Sequence, residues 1–134
     1  MKVLLDTSVY SQPIRRNPLP SVIARWKAGK ESDYAVSAIC ELELLYGIKL
    51  SGSAQLERVW EDILRGRFPV LPFDADCAAC YASLQAAFVR AGNIRPAFDL
   101  MIAATALTNN LELVTCNPRD FDDIPNLRVT DWSR

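Results

Sequence analysis

The chain has no histidine among its 134 residues. That absence removes Ser-His-Asp and Cys-His catalysis, histidine-ligated zinc and histidine acid-base chemistry in one step. Any catalysis must run on carboxylates, hydroxyls, amines, thiols or a metal held by oxygen. An excess of charge is missing too: 15 Lys and Arg against 16 Asp and Glu leave a formal net charge of -1. Affinity for nucleic acid depends on Lys and Arg neutralising phosphates, so a nucleic-acid role would need local basic patches or bound cations. Long hydrophobic runs are also absent. The longest, from Leu100 to Leu107, is far short of the ~20 residues that cross a bilayer, and the N-terminus has no basic, then apolar, then small-residue leader. A cytoplasmic protein with no membrane role is expected.

Cysteine is sparse. Cys40, Cys77, Cys80 and Cys116 are too few and too scattered for a disulfide scaffold. Cys77-Ala-Ala-Cys80 resembles half a redox or zinc motif, but its alanine-rich surroundings read as helix, and free cysteine commonly behaves as a small buried hydrophobe. What is present is ordinary globular material: 50% of residues are hydrophobic and 23% charged, enough for one domain over residues 1–134 with a core of its own.

Short apolar runs at Lys2–Asp6, Tyr34–Ser37, Phe68–Phe73, Leu111–Thr115 and Leu127–Thr130 read as strands. The prolines at 69 and 72 place the third at a sheet edge. Between them, helices are expected from a Ser21 cap to Ala28, from near Ser37, from Ser53 to Arg65, from Asp74 to Ala91 and from Ala97 to Leu107. The last is apolar almost all round and belongs inside. Strands alternating with helices predict a three-layer α/β fold with a parallel sheet flanked by helices. Ligands bind such sheets outside the carboxyl ends of the strands, where Asp6 ends the first and Thr115 the fourth.

Three carboxylates stand out there. Asp6 follows Val3-Leu4-Leu5 at the rim of the core, where it either caps the next turn with Thr7 and Ser8 or serves a site. Asp99 opens the most apolar helix, which offers almost no polar face to receive a solvated acid. Glu43 shares a helical stripe with Ile39 and Tyr46, whereas Glu41 points elsewhere and reads as a solvated charge. Acids converging with no histidine or thiolate near define a hard-oxygen site suited to Mg²⁺ or Mn²⁺. Two such ions about 4 Å apart are the usual arrangement for phosphodiester hydrolysis.

At these residues the sequence resembles the PIN-domain ribonucleases, and among them the VapC-type toxins of toxin-antitoxin pairs. Leu4-Leu-Asp-Thr-Ser8 is similar to their opening strand and first acid. Ser37-Ala-Ile-Cys-Glu-Leu-Glu-Leu-Leu-Tyr-Gly47 resembles the second block, with Glu43 as its acid. Pro96-Ala-Phe-Asp-Leu-Met-Ile-Ala-Ala-Thr-Ala106 resembles the third, with Asp99. Leu113-Val-Thr-Cys-Asn-Pro-Arg-Asp-Phe121 resembles the fourth, where Asn117 or Asp120 is the fourth site residue, and Val129-Thr-Asp-Trp132 the last strand.

The resemblance implies a sheet ordered 3-2-1-4-5, metal-dependent endoribonuclease activity, dimerisation and neutralisation by a small antitoxin. Asp6, Glu43 and Asp99 would hold Mg²⁺ or Mn²⁺, with Asp120 a further catalytic acid. Thr7, Ser8, Thr115 and Asn117 would position water or phosphate. Arg15, Arg16, Arg95 and Arg119 are candidate RNA contacts. The stripe of Leu56, Val59, Trp60, Ile63 and Leu64 is the expected homodimer surface, unless the core takes it. Two other readings stay open. A dehalogenase-type phospho-aspartyl hydrolase also ends a strand on Asp but wants a second one where Ser8 stands. A non-catalytic interaction module would use the amphipathic Ser53–Arg65 helix.

Overall fold

The computed structural model describes residues 1–134. Its five strands are β1 Val3–Leu5, β2 Tyr34–Ser37, β3 Val70–Leu71, β4 Glu112–Thr115 and β5 Val129–Asp131, all parallel and ordered β3-β2-β1-β4-β5. The helices are α1 Thr7–Tyr10, α2 Pro20–Ala28, α3 Ala38–Ser51, α4 Ala54–Ile63, α5 Ala75–Arg90 and α6 Ala97–Thr108. This is the expected three-layer arrangement and strand order.

Strand side chains alternate between two cores because successive residues point to opposite faces. Leu4, Ala35 and Leu113 pair across the sheet and face one core, together with Leu100, Ile102, Ala103 and Ala106 of α6. Leu5, Val36 and Val114 face the other, against Val9, Tyr10, Val22, Trp26, Trp60 and Phe68. α6 is buried almost all round, between the sheet and α5. No helix is long and apolar enough to cross a membrane.

Several boundaries differ from the expectation for local reasons. β3 shrinks to two residues between Pro69 and Pro72, whose missing N–H groups limit it, and it does lie at the edge. Ser21 is not a cap. α2 starts one residue earlier at Pro20, whose preset φ suits the first helical position, and the Ser21 hydroxyl donates to the Trp132 carbonyl at 2.9 Å. Ser37, Ser53 and Asp74 do cap their helices, accepting from the Cys40, Leu56 and Cys77 amides. α4 ends at Ile63, short of Arg65, and β5 begins at Val129, two residues late. All four cysteines are free, with Cys40 and Cys77 buried.

Candidate active site

The last ladder contact of β1 is the Asp6 amide donating to the Val114 carbonyl at 2.9 Å, and the chain then turns into α1. Asp6 occupies the cap position of that helix, but its side chain makes no capping bond. Its carboxylate, only 7% exposed, instead accepts two hydroxyl hydrogen bonds on Oδ2, from Ser8 at 2.8 Å and Thr115 at 2.8 Å. Burial raises its pKa, and the Thr115 and Ser8 hydrogen bonds work against that rise. Both hydroxyls are themselves held: Ser8 Oγ accepts the Cys116 amide and Thr115 Oγ1 accepts the Asn117 amide, each at 3.0 Å. The ends of β1 and β4 are thus laced together around one carboxylate.

Glu43 reaches the same edge from α3. Thr7 Oγ1 donates to its Oε1 at 2.7 Å, and its pKa is raised by burial first and then by the charge of Asp6. Asp99, in the first turn of α6, is pushed up to about 6 by burial, then by the negative charges of Asp120, Asp6 and Glu43 in that order. Arg95 alone opposes them. The four carboxylates therefore form one electrostatic cluster, although no three acids or thiols are gathered closely enough to ligate an ion as they stand. What joins them is field rather than contact. Asp120, exposed in the 3-10 turn Pro118–Asp120, is the fourth-block acid whose charge acts on Asp99; Asn117, also exposed, contributes its backbone amide.

Three hydroxyls expected to position water or phosphate have a nearer duty. The protons of Thr7, Ser8 and Thr115 go to Glu43 and Asp6, so in this arrangement they position the carboxylates. Arg95 is not a free RNA contact: its side chain is 11% exposed, paired with Asp123, hydrogen-bonded to the Asp120 carbonyl and stacked 5.3 Å above the Phe88 ring. It braces the turn that carries Asp120. Glu41 is not simply solvated either, since it accepts the Tyr10 hydroxyl at 3.1 Å. No sequence signal marks these two contacts, whose partners lie 28 and 31 residues apart.

The α4 stripe also resolves. Trp60 and Leu64 are 8% and 0% exposed and belong to the chain's own core, with Leu56 packed against it, while Ile63 is 39% exposed. Much of the stripe therefore serves the chain's own core, the alternative to a dimer or interaction surface that its spacing left open. Ser8, where a dehalogenase-type enzyme would carry its second Asp, is a hydrogen-bond donor to the first.

The PIN domain profile matches residues 3–127, and the chain belongs to that family. Its relatives narrow the kind: ribonuclease VapC2 of Rickettsia felis is 31% identical over 134 residues, covering 100% of both chains. The tRNA(fMet)-specific endonuclease VapC of Shigella flexneri is 31% identical, with 99% of each chain covered. The crystal structure of VapBC2 from Rickettsia felis, bound to a promoter DNA fragment, superposes with a TM-score of 0.83 at 31% identity, covering 98% of this chain and 99% of that one.

Proposed function

We propose that this protein is a metal-dependent endoribonuclease and the toxin of a toxin-antitoxin pair. The observation that carries the reading is the acid cluster itself: four carboxylates share one sheet edge, three of them raise the pKa of the fourth along with its burial, and a single braced arginine opposes them. An arrangement that strains to stay ionised is one that a cation relieves. The donors are hard oxygens without histidine, and burial pushes the neighbouring Cys40 and Cys116 thiols up, away from the thiolate that binds metal, which fits Mg²⁺ or Mn²⁺ better than zinc. Asp6, Glu43 and Asp99 would hold the ion. When bound, it would lower the pKa of a water and offset the charge building on a phosphodiester.

The chain's own residues do the rest. Ser8 and Thr115 fix the rotamer of Asp6, and Thr7 fixes that of Glu43. Asp120, exposed and close enough for its charge to act on Asp99, would take a proton at its carboxylate from an attacking water. The test is cleavage of purified RNAs, initiator tRNA among them in view of the Shigella relative's name, with and without Mg²⁺ or Mn²⁺. Calorimetry should show one or two sites for Mn²⁺ in the wild type and none in the Asp6→Asn plus Asp99→Asn variant; equal affinity in the two would refute the site.

A partner antitoxin follows from the same charge. A cleft that gathers carboxylates is a site for a guanidinium, whose planar fork pairs with them, and such a side chain would compete with the cation. A cytoplasmic location suits an RNA substrate and a protein partner of this kind. The homodimer is better placed on α3 and the start of α6 than on α4. There Leu42, Tyr46 and Phe98 line an apolar hollow beside Glu43, and Tyr46 is 64% exposed. Light scattering at micromolar concentration should give the mass of two chains, and Tyr46→Glu should give one. A monomeric wild type would contradict this placement.

A further inference from the structure

Glu43 stands on a ridge between two depressions. One is the apolar hollow of Leu42, Tyr46 and Phe98. The other is a larger cleft of about 900 Å³ that Thr7 and Glu43 border on its site side. Its far walls are the chain leaving the 3-10 turn Gln12–Ile14, the inner face of α3 and the beginning of α4. Glu43 is the only carboxylate lining it, and Arg15 and Arg16 are its cations.

What sets these two arginines apart is their place in the cleft, since Arg25, Arg58, Arg90, Arg119 and Arg128 are also free of ion pairs but do not line it. Ion pairs engage Lys49, Arg65, Arg67, Arg95 and Arg134, whereas Arg15 and Arg16 enter none. Arg15 Nε donates to Ser11 Oγ at 3.0 Å, which orients the guanidinium and leaves its two terminal nitrogens for something else. Opposite them the N-terminus of α4 opens onto the cleft through Ser53 and Gln55, and a helix start of that kind favours anions. Two adjacent unpaired guanidiniums and a helix N-terminus, next to an acid cluster, give the cleft a local sign opposite to that of the site.

A polyanion needs such a place here. The chain's net charge of -1 supplies no general attraction, and the acid cluster repels phosphate wherever a cation does not cover it. We propose that the Arg15–Arg16 cleft is a phosphate-binding subsite that holds the RNA backbone on one side of the scissile bond. This rests on the nuclease reading and extends it to the path of the substrate. The lining contains no aromatic ring on which a base could stack, so the subsite grips backbone and not sequence. Arg15 and Arg16 are then positioning residues, and base preference is read elsewhere.

The test uses the full chain in an Asp99→Asn background without divalent metal, where cleavage is slowest, and a fluorescent single-stranded oligoribonucleotide of mixed sequence. Affinity is measured against salt. Each phosphate contact on a single strand contributes about 0.7 to the slope of log K against log salt, so Arg15→Ala plus Arg16→Ala should lower the slope by about 1.4 and weaken binding by about tenfold or more at low salt. Arg90→Ala, an exposed arginine at the end of α5, should change neither. In the otherwise native enzyme the double variant should raise KM with kcat largely kept and Mn²⁺ affinity unchanged. A double variant with wild-type affinity and slope overturns the subsite while leaving the nuclease reading intact. Loss of affinity for a co-expressed antitoxin with RNA binding untouched would overturn it too, and would make the cleft a protein groove. If no variant binds or cuts RNA, the nuclease reading falls and the subsite with it.

Discussion

Asp99→Asn should melt at a higher temperature than the wild type when divalent metal is absent, and should cut RNA more slowly by about 10²–10³-fold when it is present. The two effects have one cause. Burial and the charges of Asp120, Asp6 and Glu43 carry the Asp99 carboxyl from its ordinary 3.8 to about 6 in the folded protein. A folded pKa above the unfolded one means that the folded state binds more protons, so this group's stabilisation is complete below about pH 4 and is lost as pH rises through about 6. At neutral pH the ionised acid is a liability. A displacement of that size corresponds to about 3 kcal/mol between the charged and neutral forms, and because Asp99 keeps part of its solvent, screening leaves about 1 kcal/mol of it as stability. That is roughly 3–5 °C in melting temperature for a domain of this length.

Asparagine keeps the shape and removes the charge, so the gain should be largest near pH 7 and vanish near pH 4. Mg²⁺ should close the gap by raising the wild type alone. Expression of the wild type without a partner should arrest growth, and Asp99→Asn at equal level should not. A variant that is less stable than wild type without metal, at every pH, would show that Asp99 is not under the repulsion described.

The elements that sequence alone placed well are those whose signal is local. Leu4 and Leu5 belong to opposite cores, as an apolar strand buried on both faces requires, and Pro69 and Pro72 mark a strand at the sheet edge, where they are tolerated. Asp6, Glu43 and Asp99 were visible because each is an acid in apolar company, and the structure brings their charges within reach of one another. The order of the strands was legible only through resemblance, since periodicity does not say which strand neighbours which. α1 was missed because Thr7–Tyr10 is too short to show a helical stripe, and its start depends on the turn of the chain at Asp6. The α4 stripe was legible as apolar but not as to its partner: a helix face packs against its own core or another chain with the same spacing. Arg95 looked like any basic residue until Asp123, 28 positions on, came to meet it.

Thr115→Val should have the opposite sign to Asp99→Asn. The Thr115 hydroxyl is fully buried; it donates to Asp6 Oδ2 at 2.8 Å and accepts the Asn117 amide at 3.0 Å, with the Ser8 hydroxyl a further 3.3 Å contact. Valine matches its shape and removes all three. Asp6 is itself buried, so it loses one of the two hydroxyls that offset its desolvation, and hydrogen bonds to charged groups contribute about 1.5–3 kcal/mol. A loss of about 2–3 kcal/mol, or roughly 6–15 °C, is expected without metal. Because the Asp6 pKa should then climb further above its unfolded value, the deficit should shrink as pH falls and the carboxyl takes up its proton. Removing the acid as well should recover much of the loss: Asp6→Asn plus Thr115→Val should be less destabilised than the two single effects added, since the valine no longer faces a charge. Thr115→Ser keeps the hydroxyl and should restore both stability and cleavage. Additive losses in the double variant, or a serine no better than valine, would mean that the hydroxyl serves the fold through packing and leaves Asp6 untouched.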